Sequence, residues 1–222
     1  DLMDYAKSFT FVFDDERWIT KIAIGTGLVL VSSLLSVILI GFLGFLILGG
    51  YSIRLLQNVR DGKEFPLPEW DDWGGDFMLG LKYVVVALIW ALPMIIFSVP
   101  LGIGTAIADG NGSAQFFGVS ILICAGCLMF LYGIFVALAA PGSTIAFAKG
   151  EQISSGLQFT EIWQWTRENV GQVIVAVLVI LLVQFVIGLA ASIAGAILCV
   201  VGLIVTVPLA TLATSLYQNH VY

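Results

Sequence analysis

Few side chains in this sequence could do chemistry, and they fall in three places. Cys124-x-x-Cys127 has the spacing of half a zinc site, but no second Cys/His pair accompanies it. Cys199 stands alone, and the single histidine is His220 near the far end. Three apart on a helix, the two cysteines read as small packing residues. Glu69, Asp72 and Asp76 form the second group, inside "FPLPEWDDWGGD" (65–76). On a helix they share one stripe, which could dock a basic partner or hold a divalent cation, although the glycine-kinked loop of a calcium site is missing. The plainer expectation is that the six acids of 61–76 cap a helix and pair with Arg54, Arg60 or Arg167. The third place is Gln184, the single amide in the middle of a long apolar run. There is no phosphate loop, Gly-x-Ser-x-Gly turn, cofactor fingerprint or Ser/His pair. No catalytic, cofactor-binding or metal-ligating residue is therefore assigned, and an enzyme is not expected.

The elements that must position these groups follow from composition. Hydrophobic residues make up 59% of 222 and charged residues 11%, against roughly 25% charged in soluble domains. Asp, Glu, Lys and Arg are missing from 22–53, 83–108, 110–148 and 169–222. A spanning helix needs about 20 apolar residues, so the chain reads as an integral membrane protein. Windows 83–108 and 110–148 hold one span each. The last window holds two, with a turn near Ala194–Leu198. The first holds two if Gly41 and Gly44 supply the turn and Arg54 snorkels. Six spans are expected, with four plus a re-entrant hairpin as the alternative. All nine Lys and Arg fall at the N-terminus, between spans 2 and 3, or between spans 4 and 5. By the positive-inside rule both termini are cytoplasmic.

The second helices of the three hairpins align without gaps. "ILGGYSIRLLQN" (47–58), "AAPGSTIAFAKG" (139–150) and "TVPLATLATSLY" (206–217) bring Gly49, Pro141 and Pro208 into register. An aromatic, acid-containing stretch precedes each hairpin: 9–18, 68–77 and 159–169. The expected fold is an all-α integral membrane protein, one transmembrane domain over 1–222. Its six transmembrane helices form three parallel repeats (1–60, 61–150, 151–222), each an interfacial amphipathic helix plus a helical hairpin. For the second unit, Pro68 is placed in the first turn of a helix whose face Trp70, Trp73, Phe77 and Leu81 define. Trp18, Trp70, Trp73, Trp163 and Trp165 would anchor these helices at the headgroups, and Trp90 would pack inside.

"GYSIRLLQNVRDGKEFPLPEWDDWGGDFMLGLKYVVVALIWALP" (50–93) resembles the signature of the prokaryotic membrane family known as domain of unknown function 4013. "AKSFTFVFDDERWITKIAIG" (6–25) and "GLQFTEIWQWTRENVGQVIVAVL" (156–178) are similar to its other landmarks. The resemblance implies a multi-pass protein of a prokaryotic inner membrane and carries no activity. Spans without buried charge argue against proton relays and voltage sensors. Gly188-x-x-x-Ser192 and Ala191-x-x-x-Gly195 permit close helix contact, internal or between subunits. The expected role is a scaffold or accessory subunit with an acidic cytoplasmic rim. Its expected partners are membrane lipids, other membrane subunits or a second copy, and a basic cytoplasmic protein; nucleic acid is not among them. The alternative is a small transporter or channel for an uncharged or lipidic substrate, opened by the breaks at Gly49, Pro141 and Pro208.

Overall fold

The computed structural model describes residues 11–35, 41–197 and 201–221, and no strand occurs among them. A 3-10 turn at Phe11–Asp14 leads to α1 (Trp18–Leu35) and α2 (Gly41–Arg60). An irregular strap, 61–72, connects α2 to α3 (Trp73–Ala108) and α4 (Ser113–Gly150). A second 3-10 turn, Ser155–Leu157, precedes the short α5 (Phe159–Glu168), then α6 (Val170–Ile197) and α7 (Val201–Val221). Among the described residues four helices are long and apolar enough to cross a membrane: α2, α3, α4 and α6 over Val170–Ile193. The chain is therefore an all-α membrane protein.

Local geometry departs from expectation at the hairpin turns and at the interfacial helices. Gly41 opens α2, and Gly44 lies inside that helix, where a Cβ would overlap the Ser32 hydroxyl of α1. The flanking helices end at Leu35 and begin at Gly41, and residues 36–40 between them lie outside the described residues. Helix α6 continues through Ile197, so the third turn does not begin at Ala194. Among the described residues, only the third of the three expected interfacial helices forms separately. In α5, Ile162 and Thr166 are buried while Glu161, Arg167 and Glu168 are exposed, as a 3.6-residue period requires. At the first site the described residues make a 3-10 turn. At the second, helix begins at Trp73 and runs unbroken to Ala108. Asp72 is its N-cap, with Oδ1 accepting from the Gly75 N–H at 2.8 Å.

Helix α2 is the hub and packs against α1, α3, α4 and α7. Its crossing with α3 is backbone on backbone. A Cβ on Gly50 would overlap the Asp76 carbonyl, and one on Gly80 would overlap the Leu46 carbonyl. Only glycine allows this approach, which brings the helix axes closer than any larger side chain permits. One apolar cluster joins α1, α2, the strap and α7 through Val29, Tyr51, Leu55, Leu67 and Leu212. A second joins α2, α3, α4 and α5 through Ile53, Val86, Trp90, Phe147 and Ile162.

The 36 residues of α3 and 38 of α4 make rods of about 54 and 57 Å, whereas the hydrocarbon layer is about 30 Å thick. From the Gly50 contact α2 extends only to Gly41, about 13 Å, while α3 runs about 42 Å past Gly80. Between 91 and 138 the only buried residues are Gly104, Gly118 and Ala125. Gly104 and Gly118 lie on the α3–α4 contact, facing Leu122 and Ala108. The far part of this hairpin is apolar all round and fits the lipid. Its near part, with Asp76, Lys82 and Lys149, stands outside the hydrocarbon beside α5.

Candidate functional site

Ionic groups converge where α1, α2, α3 and the strap meet. Three polar side chains project from one face of α2 at helical spacing: Tyr51, Arg54 and Asn58. Each donates to a strap carbonyl. Tyr51 Oη reaches Pro68 O at 2.9 Å, Arg54 Nη2 reaches Glu69 O at 2.7 Å, and Asn58 Nδ2 reaches Pro66 O at 2.8 Å. From α1, Lys21 Nζ donates to Leu67 O at 3.1 Å. Four consecutive carbonyls, 66–69, thus find partners outside the strap. That is why Pro68 opens no helix: the backbone acceptors a helix would use are already taken. The polar stripe at 51, 54 and 58 was the available sequence signal.

Three cations, Lys21, Arg17 and Arg54, hold this arrangement as a clasp. Lys21 Nζ, 5% exposed, lies 2.6 Å from Asp15 Oδ2 and 2.7 Å from Glu69 Oε1. Burial opposes ionisation of Asp15, yet Lys21 and the Arg17 backbone N–H outweigh it and hold that carboxyl below its usual range. Arg17 adds a second cation to Glu69 at 2.6 Å. Arg54 spans Asp71, at 3.0 Å from Nη1, and Asp76, at 2.8 Å from Nη2. Its Nε also lies 2.7 Å from Asp76 Oδ1, but off the hydrogen-bonding direction, so that contact is electrostatic. The Asp76 side chain is fully buried. Burial pushes its carboxyl up to about 6, with Arg54 opposing and Asp72 and Asp71 reinforcing.

The expected Glu69–Asp72–Asp76 stripe therefore does not exist. Glu69 precedes the helix and pairs with α1, Asp72 caps α3, and Asp76 turns inward to Arg54. Of the acids of 61–76, Asp71 and Asp76 pair with Arg54, and Asp61 takes Arg60 at 2.8 Å. No ion pair reaches Arg167 among the described residues. Among those residues, too, no three His, Cys, Asp or Glu side chains are grouped to hold a metal. Cys124 and Cys127 are exposed on α4; Cys199 and the His220 side chain lie outside the described set. An open cleft of 840 Å³ adjoins the clasp, lined by both signs of charge, including Arg17, Arg60, Lys63, Asp61 and Glu151.

The tryptophans divide between core and surface. Trp70 stacks on Tyr51 at 3.9 Å and 9°, and its indole N–H donates to Lys21 O at 3.0 Å. It is thus a core contact, not the outward residue its spacing suggested. Trp73 and Trp163 are 43% and 40% exposed. Trp18 meets Phe13 edge-on at 4.9 Å, and Trp165 covers Gly142. Trp90 is buried, and its N–H donates to Gly156 O at 3.1 Å. Gln184 lies exposed on a groove between α6 and α7.

No curated protein and no solved structure matches the chain. The model of the family described as "Protein of unknown function (DUF4013)" matches residues 33–213. Most of the chain lies within that match, including the clasp from Arg54 to Asp76 and all four candidate spans: the protein belongs to the DUF4013 family.

Proposed function

We propose that the protein is a non-enzymatic scaffold or accessory subunit of a prokaryotic inner membrane. In this reading six helices form three parallel hairpin units, α1/α2, α3/α4 and α6/α7. Each enters from and returns to the side that carries the Lys and Arg residues, so both termini are cytoplasmic. The observation that carries the reading is the clasp. Its cations, the buried Lys21 and the half-buried Arg54, are consumed by internal partners, which suits a fixed platform better than a reactive site. A basic partner would meet the exposed strap carboxylates Glu64 and Asp72, with Asp61, exposed but paired with Arg60, beside them. The transporter alternative needs a path through the helix breaks. Pro141 and Pro208 are buried, and a Cβ on Gly49 would sit 3.8 Å from Gly80 Cα, so these positions serve packing.

Crosslinking in native membranes, then purification in mild detergent, tests the proposal. A basic partner should co-purify, and Asp61→Asn with Glu64→Gln should weaken its capture and its salt sensitivity. A protein that recovers neither a partner nor a copy of itself would refute the scaffold reading.

A further inference from the structure

The groove between α6 and α7, 480 Å³ and open to the side, is lined by Gln184, Gly188, Ala191, Thr211, Thr214 and neighbouring residues. Three of its four hydroxyls are bonded within the chain: Ser192 donates to Gly188 O at 2.8 Å, Thr211 to Val207 O at 3.0 Å, and Ser215 shares a 2.9 Å bond with Ser52 of α2. Gln184 differs. Its amide has two donors and an acceptor and no partner among the described residues. The side chains beside it, Leu181, Leu182 and Phe185, are exposed and apolar. It lies about 20 Å from either end of α6, too far for a glutamine to reach the headgroups as a long cation would.

We infer that this groove is a contact between two copies of the chain, closed by paired Gln184 amides. Acyl chains could fill the space but would leave the amide unpaired in hydrocarbon, a costly state. A second copy removes that cost twice. Across a two-fold axis each amide oxygen accepts from the other copy's NH2, so one residue type satisfies both sides. Gly188 and Ala191 on α6 with Ala210 on α7 leave the groove open enough for a helix to approach closely. The inference requires α6 to cross the bilayer and is independent of any cytoplasmic partner.

The test uses the full chain, labelled separately with donor and acceptor dyes and reconstituted in phosphatidylcholine vesicles over a range of protein-to-lipid ratios. Wild type should show energy transfer that falls on dilution with a single dimer transition. Gln184→Leu removes the amide while suiting lipid, so insertion is kept, and the midpoint should move about tenfold towards higher protein density. Gln184→Asn keeps the amide and should stay near wild type, whereas Gly188→Leu should abolish transfer by filling the groove. No transfer at any density, or a Gln184→Leu protein that associates like wild type, would overturn the inference. Partner capture through Asp61 and Glu64 is scored separately, so failure of one reading leaves the other measurable.

Discussion

Removing either half of the Arg54–Asp76 pair should have unequal consequences, and the inequality should depend on pH. Asp76 is fully buried. Its carboxyl is pushed from 3.8 up to about 6, a step worth roughly 3 kcal/mol against the ionised form. Asp76→Asn removes that charge. It also puts an NH2 group where one carboxylate oxygen faced the guanidinium, a mismatch costing about 1–3 kcal/mol. The net change at pH 7.5 should therefore fall between neutral and mildly stabilising, with Arg54 keeping Asp71 and Glu69 O. Arg54→Met instead strands a buried carboxylate, and should lose about 3–5 kcal/mol.

The pH dependence has a definite sign. A carboxyl raised above its unfolded value contributes stability that is complete below 3.8 and is lost as pH rises through about 6. Wild type should gain stability on acidification from pH 6.5 to 4.5. Arg54→Met should gain more, and Asp76→Asn should lack the gain altogether. Asp15 and Asp71 are held below their usual range, so their contributions fade only below that window. Reversible unfolding in mixed detergent micelles at pH 7.5 and 5, followed by circular dichroism, reads all three proteins. If Asp76→Asn is as damaging as Arg54→Met at pH 7.5, attraction to Arg54 outweighs burial and the reasoning is wrong.

Lys21→Met should cost about 3–5 kcal/mol and expose the 61–72 strap to protease, because Asp15 and Glu69 lose their shared cation. Gly80→Ala should cost about 1–3 kcal/mol in the same unfolding assay, since its Cβ would overlap the Leu46 carbonyl. Gly74→Ala meets nothing within 4 Å and should be neutral or gain up to about 1 kcal/mol. Trp70→Ala should cost about 3 kcal/mol and loosen the strap, whereas Trp73→Ala, at a side chain 43% exposed, should change unfolding by only about 0.5 kcal/mol.

What the sequence made legible was whatever repeats along one helix. Charge depletion marked the α3/α4 hairpin because lipid excludes charge over a whole span. The 3.6-residue alternation marked α5 because that helix has one wet side, with Ile162 and Thr166 inward and Glu161 and Arg167 outward. The strap was misread because its conformation is set by partners far away in sequence. "PEWDD" satisfies every local rule for a helix start, with proline first and acids behind it. Those rules lose to four side-chain donors, three from α2 and one from α1, that occupy the strap's carbonyls. Helix initiation then moves five residues on, to Asp72 as cap and Trp73 as first residue. The slip has a functional consequence. One helix from Pro68 would have set Glu69, Asp72 and Asp76 side by side facing water; beginning at Trp73 turns Asp76 into the α2–α3 crossing. The glycines at 50 and 80 make that crossing tight enough to bury a carboxylate there, and Arg54, one turn from Gly50, is the residue placed to meet it. Surface acids and buried acids are spelled alike, and the contacts of α2 separate them.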